Sequence, residues 1–262
     1  MKRYRFRKDQ MRKGIYVLPN LFTTASLFFG FYSIIASMKG MYEIAAWTIL
    51  IAIVFDGLDG RIARVTRTTS KFGAEYDSLA DLVAFGVAPA ILSYHWALMS
   101  FGKWGWLAAF LFVTCGALRL ARFNVQTGII DSRVFNGLAI PAGASVIATA
   151  VLLYFKLGGE GQFHHLSILI GTTVIALLMV SSIKYYSFKD LNYFAKKPFM
   201  SFVLIIVILV IVIAEPQIMI FTFSFGYALS GPVWLMYKLI RKKRADQEKQ
   251  AHHQEESGTI NK

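Results

Sequence analysis

Apolar stretches of about twenty residues, separated by short basic connections, recur along the whole of this 262-residue chain. A helix needs about 20 mostly apolar residues to cross the hydrocarbon of a bilayer. Eight segments meet that requirement: Ile15 to Met38, Tyr42 to Arg64, Gly73 to Leu98, Trp104 to Asn124, Gly137 to Phe155, Phe163 to Ile183, Phe199 to Ala214 and Gln217 to Ile240. Hydrophobic residues make up 56% of the chain and charged ones 16%, against roughly 45–50% and about 25% in soluble domains, which argues against a soluble enzyme. The seventh segment is short and rich in Val, Ile and Leu, yet an open strand would leave its backbone groups unpaired in lipid. The expectation is an all-α integral membrane protein with about eight transmembrane helices. No Pro-, Ser- or Gly-rich linker divides it.

The basic residues set the orientation. Of 28 lysines and arginines, 25 fall before the first span, in every second connection or after the last span, and only Lys39, Lys103 and Lys156 fall on the other side. By the positive-inside rule both termini face the cytoplasm. The net charge of +13 is explained by this topology. No basic stripe with interleaved aromatics crosses a soluble fold, so nucleic acid is not an expected partner. The start, Lys2 to Lys13, is a plain orientation signal or a segment lying on anionic lipid. Lys184 to Pro198, with Tyr185, Tyr186, Phe188, Lys189 and Tyr193, suits an interfacial connection. Cys115 has no partner for an intrachain disulfide, and none of the five histidines is assigned to metal.

Acids inside spans are rare, because a charge at the bilayer centre costs roughly 2.5–3.5 kcal/mol on insertion scales. Here Asp56 and Asp59 lie late in the second span, with Glu75, Asp77 and Asp81 early in the third. Residues three or four apart share a helix face, so Asp56 pairs with Asp59 and Asp77 with Asp81. The short turn between the spans makes them antiparallel neighbours. At about 1.5 Å per residue, Asp59 lies about 14 Å from the turn and Asp81 about 12 Å, so the four carboxylates can converge; Glu75 lies off this face. Four anions brought together demand cations, and hard divalent ions such as Mg²⁺ or Mn²⁺ suit oxygen ligands. Gly57, Gly60, Ala63 and Gly73 leave a notch beside the acids. Small residues there serve either tight helix packing or a flat ligand such as a metal-bound diphosphate with its base, whose phosphate Arg64 could bind.

The stretch reads D-x2-D-G-x2-A-R-x8-G-x3-D-x3-D from Asp56 to Asp81, and at every fixed position it resembles the signature of the CDP-alcohol phosphatidyltransferases. The resemblance implies a six-helix membrane core, here with two further C-terminal helices, forming a homodimer that displaces CMP from a CDP-linked donor with an alcohol. It implies that Asp56, Asp59, Asp77 and Asp81 hold the divalent metal, with Asp81 also the general base. It further implies that CDP-diacylglycerol is bound by Gly60, Arg64 and Ser70, with Asp56, Ala63, Gly73 and Asp77 around them. Asn20 and Thr23, in Pro19-Asn20-Leu21-Phe22-Thr23, look like the first-span contact to the same nucleotide.

Further motifs are similar to those of the membrane-type phosphatidylserine synthases within that family. They are Phe85-Gly86-Val87-Ala88-Pro89-Ala90, Arg119-Leu-Ala-Arg122-Phe123-Asn124, Phe135 to Ala142 and Tyr186-Ser187-Phe188-Lys189. Ala139 departs from the pattern, standing where proline is expected. This resemblance implies L-serine as acceptor. Serine brings a carboxylate, and Arg119 and Arg122, with Asn124 beside them, are the residues expected to meet it; positive-inside charge with snorkelling stems explains the arginines equally. Choline, glycerol 3-phosphate or inositol remain as acceptors, and a divalent-cation transporter is the alternative from another class. The expected organisation is a basic cytoplasmic or interfacial N-terminus over 1–14, a catalytic transmembrane core over 15–190, additional helices over 191–240 and a polar cytoplasmic tail over 241–262. A prokaryotic inner membrane is the expected location, with the active site facing the cytoplasm.

Overall fold

A computed structural model describes residues 2–66, 70–126, 134–186 and 214–260. Seven helices run through these residues. They are α1 (Lys2–Met38), α2 (Tyr42–Thr66), α3 (Lys71–Phe101), α4 (Lys103–Gln126), α5 (Ile140–Lys156), α6 (Leu166–Val180) and α7 (Pro216–Ile260). Stretches long and apolar enough to cross a membrane occupy Leu18–Met38, Lys71–Phe101, Lys103–Val125 and Pro216–Lys238. Helix α2 has the length, but it carries Glu43, Asp56, Asp59, Arg61 and Arg64. At 17 and 15 residues, α5 and α6 reach about 25 and 22 Å, shorter than the spans expected from sequence. The expected seventh span, Phe199 to Ala214, lies outside the described residues except for Ala214, as does most of the connection from Lys184 to Pro198.

The all-α membrane class holds, with three details that the sequence did not indicate. First, a short ribbon accompanies the helices: Val134–Asn136 (β1) pairs antiparallel with Lys184–Tyr186 (β2), Phe135 opposite Tyr185. These segments sit where two connections meet, and pairing satisfies backbone groups that the helices cannot reach. Second, the fifth helix starts at Ile140 and not at Gly137, because Gly137 takes a left-handed φ of 79° and donates its N–H to the Ile183 carbonyl at 2.9 Å. Third, the polar ends are helical: α1 begins at Lys2 and α7 continues to Ile260. A polar segment too poor in apolar residues to fold alone can still extend a helix already nucleated by a spanning stretch, since propagation lacks the nucleation cost.

Helix α3 is irregular. Its α-helical turns at Lys71–Asp81 and Ala88–Ser93 are joined by a π-helical segment, Leu82–Val87, where the Ala88 N–H reaches the Val83 carbonyl. Pro89 follows at once and has no N–H to give, so the wider turn accommodates it. Gly30 of α1 lets α3 come close, and a Cβ there would collide with the Ala84 backbone. The core, with Phe85, Trp96, Phe112, Ile140 and Leu152 fully buried, lies between α2, α3, α4, α5 and α6. Phe28, Phe31, Val54, Phe110 and Leu177 are exposed on the outside, the arrangement a bilayer solvent calls for.

Serine and threonine hydroxyls tie α1 to α2. Ser33 donates to the Ala45 carbonyl at 2.9 Å and Ser26 to the Ala52 carbonyl at 3.1 Å, both buried. Such bonds hold helices together where lipid offers no hydrophobic drive, and they fix the register that carries Thr23 to Asp59.

Gly137→Ala tests the hinge between β1 and α5. The left-handed conformation costs a non-glycine residue about 1–2 kcal/mol, and its Cβ would also collide with the Met179 carbonyl. The variant should show a clearly lowered thermal midpoint in detergent. Gly171→Ala, whose Cβ meets nothing within 4 Å, should leave the midpoint unchanged or raise it.

Candidate active site

The acids stand where three helices meet. Helix α2 carries Asp56 and Asp59 near its end, and α3 carries Asp77 and Asp81 in its first three turns. Ser70 caps α3, its Oγ accepting the Gly73 N–H at 2.9 Å, so the Ser70 expected at the nucleotide also starts the helix that bears the acids. One carboxylate oxygen from each of Asp56, Asp59 and Asp77 lies within 4.8 Å of the others. Asp81 lies beside Asp56. The structure thus brings all four together as an inner trio with Asp81 against one member. Asp59 is buried and accepts a 2.8 Å hydrogen bond from Thr23.

This donor set fits a divalent cation. Carboxylate oxygens are hard ligands, and among the described residues no lysine or arginine lies within salt-bridge distance of the four; the ion pair those residues form is Lys156–Glu215, at 3.0 Å. Asp77 Oδ1 is buried without a hydrogen-bond partner, and an unsatisfied buried acceptor is costly unless a cation completes it. Glu75 is exposed and outside the trio.

A cleft of about 200 Å³ opens beside the trio. Asn20 and Thr23 of α1, Asp59, Gly60 and Ala63 of α2, and Ser70, Gly73 and Asp77 of α3 line it. Gly60 faces open space, whereas a Cβ at Gly73 would press on Ser70 Oγ at 3.1 Å and Asn20 Oδ1 at 3.4 Å. Asp56 is not part of the cleft wall. Neither is Arg64, which is exposed and donates from Nε to the Gly60 carbonyl at 2.9 Å. At the same end, Thr24 and Tyr76 share a 2.9 Å hydrogen bond between α1 and α3. Sequence reasoning passed over this pair, and the position of Tyr76 beside Asp77 was the one available signal.

The three residues expected at a serine carboxylate separate. Arg119 of α4 is partly buried, its Nε is buried without a hydrogen-bond partner, and it interacts electrostatically with Asp81 and Tyr227. Arg122 is exposed and donates to the Val180 carbonyl over 3.4 Å. Asn124, also exposed, donates to Ser78 Oγ at 2.9 Å and so ties α4 to α3. Of the three, Arg119 is the one that interacts electrostatically with one of the acids.

The trio makes a direct prediction. Mn²⁺ titrated into purified protein and followed by electron paramagnetic resonance should bind, and Asp77→Asn should weaken that binding at least about tenfold, the order expected from losing one charged ligand. Unchanged affinity in the variant would exclude the trio as the cation site.

The family model described as CDP-alcohol phosphatidyltransferase matches residues 16–180. A CDP-diacylglycerol–serine O-phosphatidyltransferase of Helicobacter pylori is 43% identical over 182 residues, covering 68% of this chain and 76% of that protein. An archaetidylserine synthase of Methanothermobacter thermautotrophicus is 38% identical over 179 residues, covering 68% and 72%. A CDP-diacylglycerol–serine O-phosphatidyltransferase of Methanocaldococcus jannaschii is 44% identical over 137 residues, covering 52% and 61%. With the acids of α2 and α3 gathered beside one cleft and the family model spanning more than half its length, this chain belongs to the CDP-alcohol phosphatidyltransferase family.

Proposed function

We propose that the protein transfers the phosphatidyl group of CDP-diacylglycerol to the hydroxyl of L-serine, giving phosphatidylserine and CMP. The observation that carries this is the Asp56–Asp59–Asp77 trio beside a cleft lined by small residues and Asn20. The names of the relatives support serine as the acceptor.

In this reading the diphosphate of the donor sits in the cleft, near Gly60 and Gly73, with Asn20 and Ser70 as the polar groups nearest the nucleotide, and Arg64 reaches it only by leaving the Gly60 carbonyl. An apolar groove of about 480 Å³, formed by Leu21, Phe22, Ala25 and Phe28 of α1 with Phe55 of α2, shares turns of α1 with the cleft. It suits an acyl chain of the donor. Asp56, Asp59, Asp77 and Asp81 would hold Mg²⁺ or Mn²⁺, which would neutralise the diphosphate and the charge that builds on departing CMP. Thr23 keeps Asp59 in place.

The serine hydroxyl attacks the phosphatidyl phosphorus, the phosphoanhydride bond to CMP breaks, and Asp81 takes the hydroxyl proton. Arg119, which interacts electrostatically with Asp81, receives the serine carboxylate. Positioning carries most of the catalysis in such a substitution. The positive-inside distribution of basic residues supports a cytoplasmic cleft, where serine and CMP exchange with solvent while the lipid enters from the bilayer of a prokaryotic inner membrane. A homodimer and an extension of the core over 191–240 belong to the same proposal.

The test follows CMP release from CDP-diacylglycerol in detergent with Mn²⁺ or Mg²⁺, with L-serine, choline, glycerol 3-phosphate and inositol in parallel. Release should depend on serine, and Asp81→Asn should cut kcat by about 10²–10⁴-fold, the range for loss of a general base. Release with another alcohol alone would discard serine as acceptor. No release with any, together with Mn²⁺ uptake into vesicles containing the protein, would make it a transporter.

A further inference from the structure

Two exposed helix faces are apolar except where a pair of hydroxyls joins them. On α1, Leu21, Thr24 and Phe28 share a face, and on α3 Phe72, Tyr76 and Leu79 do, by their spacing of three and four residues. Leu21, Phe28, Phe72 and Leu79 are all exposed, as suits side chains against lipid. Thr24 and Tyr76 are the polar members, and their hydroxyl oxygens lie 2.9 Å apart. The protons give this bond its direction. A hydroxyl has one proton to donate, and that of Thr24 goes to the Asn20 carbonyl at 2.7 Å, so Tyr76 donates and Thr24 accepts. Phe72 stacks on the Tyr76 ring, with centroids 6.1 Å apart and planes at 9°, and keeps it at the seam between the helices.

The hydroxyl bridge stands between two cavities. Asn20 and Thr23 of α1, with Ala74 and Asp77 of α3, line the cleft beside the acids, whereas Thr24 lines the apolar groove with Leu21 and Phe22. A molecule with its diphosphate in the cleft and an acyl chain in the groove carries its glycerol esters past this bridge. An ester carbonyl can only accept a hydrogen bond, and away from water it is costly without a donor. We propose that Tyr76 positions the nucleotide lipid: its hydroxyl turns from Thr24 Oγ1 to an ester carbonyl of the diacylglycerol and sets the glycerol between cleft and groove. This rests on the reading of CDP-diacylglycerol as substrate given above. The exchange leaves Thr24 satisfied, because its own proton stays on the Asn20 carbonyl. Tyr76 thus recognises the lipid half of the substrate, while Asp77, the next residue, lines the cleft that takes the diphosphate half.

Equilibrium binding to full-length protein in detergent, with Mn²⁺ present and no acceptor alcohol, tests this. The probes are CDP-diacylglycerol and its diether analogue, in which both ester carbonyls are replaced by methylenes. Tyr76→Phe keeps the ring on Phe72 and removes only the hydroxyl. It should weaken binding of the diester about three- to tenfold, the span of one neutral hydrogen bond, and binding of the diether less than about twofold. Unchanged affinity for the diester would overturn the proposal. A loss equally large for the diether would do so too, since it reports only the tie between α1 and α3. Wild-type protein that binds neither lipid overturns the substrate reading itself, and the role of Tyr76 falls with it. A different acceptor in place of serine changes neither measurement, because no acceptor is present.

Discussion

Four carboxylates held together inside membrane helices dominate the energetics of this protein. Each would be costly alone in a low-dielectric setting, and together they repel. The fold relieves Asp59 with the Thr23 hydroxyl, yet it sets Asp81 beside Asp56 and leaves one oxygen of Asp77 without any hydrogen-bond partner. That last oxygen destabilises the polypeptide alone, and it makes sense as a ligand position. Destabilisation concentrated at a functional site, offset by tight packing elsewhere, is the expected pattern.

The offset comes from α1. Its buried Ser26 and Ser33 bond to carbonyls of α2, Thr23 bonds to Asp59, Thr24 bonds to Tyr76 of α3, and Gly30 admits α3 to close contact. One helix therefore sets the positions of both acid-bearing helices. The π-helical stretch after Asp81 lets α3 pass Pro89 without a break, so the wide turn begins immediately after the last of the four acids. The cleft's small residues matter for different reasons: Gly60 leaves space for a ligand, while Gly73 permits the crowding of Ser70 and Asn20 that closes the cleft's other side.

The C-terminal helix changes how the molecule divides. As a sequence it is one more apolar span followed by a polar tail, with no motif. In the folded protein it is clasped by Tyr185, whose hydroxyl donates to the Ala228 carbonyl and whose ring packs on Tyr227, so a segment outside the family core is tied to it by side chains distant in sequence.

The sequence by itself determined the all-α membrane class and the acid cluster. Hydropathy over about 20 residues and the i, i+3, i+4 spacing of a helix are local properties, and the motif from Asp56 to Asp81 lies in one hairpin. Asn20, Thr23, Gly60, Ala63, Ser70, Gly73 and Asp77 could be gathered from sequence because motif resemblance stands in for contact. Only the tertiary structure decided that Thr23 supports Asp59, that Arg64 bonds its own helix, that Asn124 ties two helices, and that β1 pairs with β2, whose Tyr185 holds α7. Each of those depends on how helices distant in sequence rotate and approach one another. Packing sets that, through pairs such as Gly30 with Ala84 and Gly231 with Tyr185 that no local pattern of residues encodes.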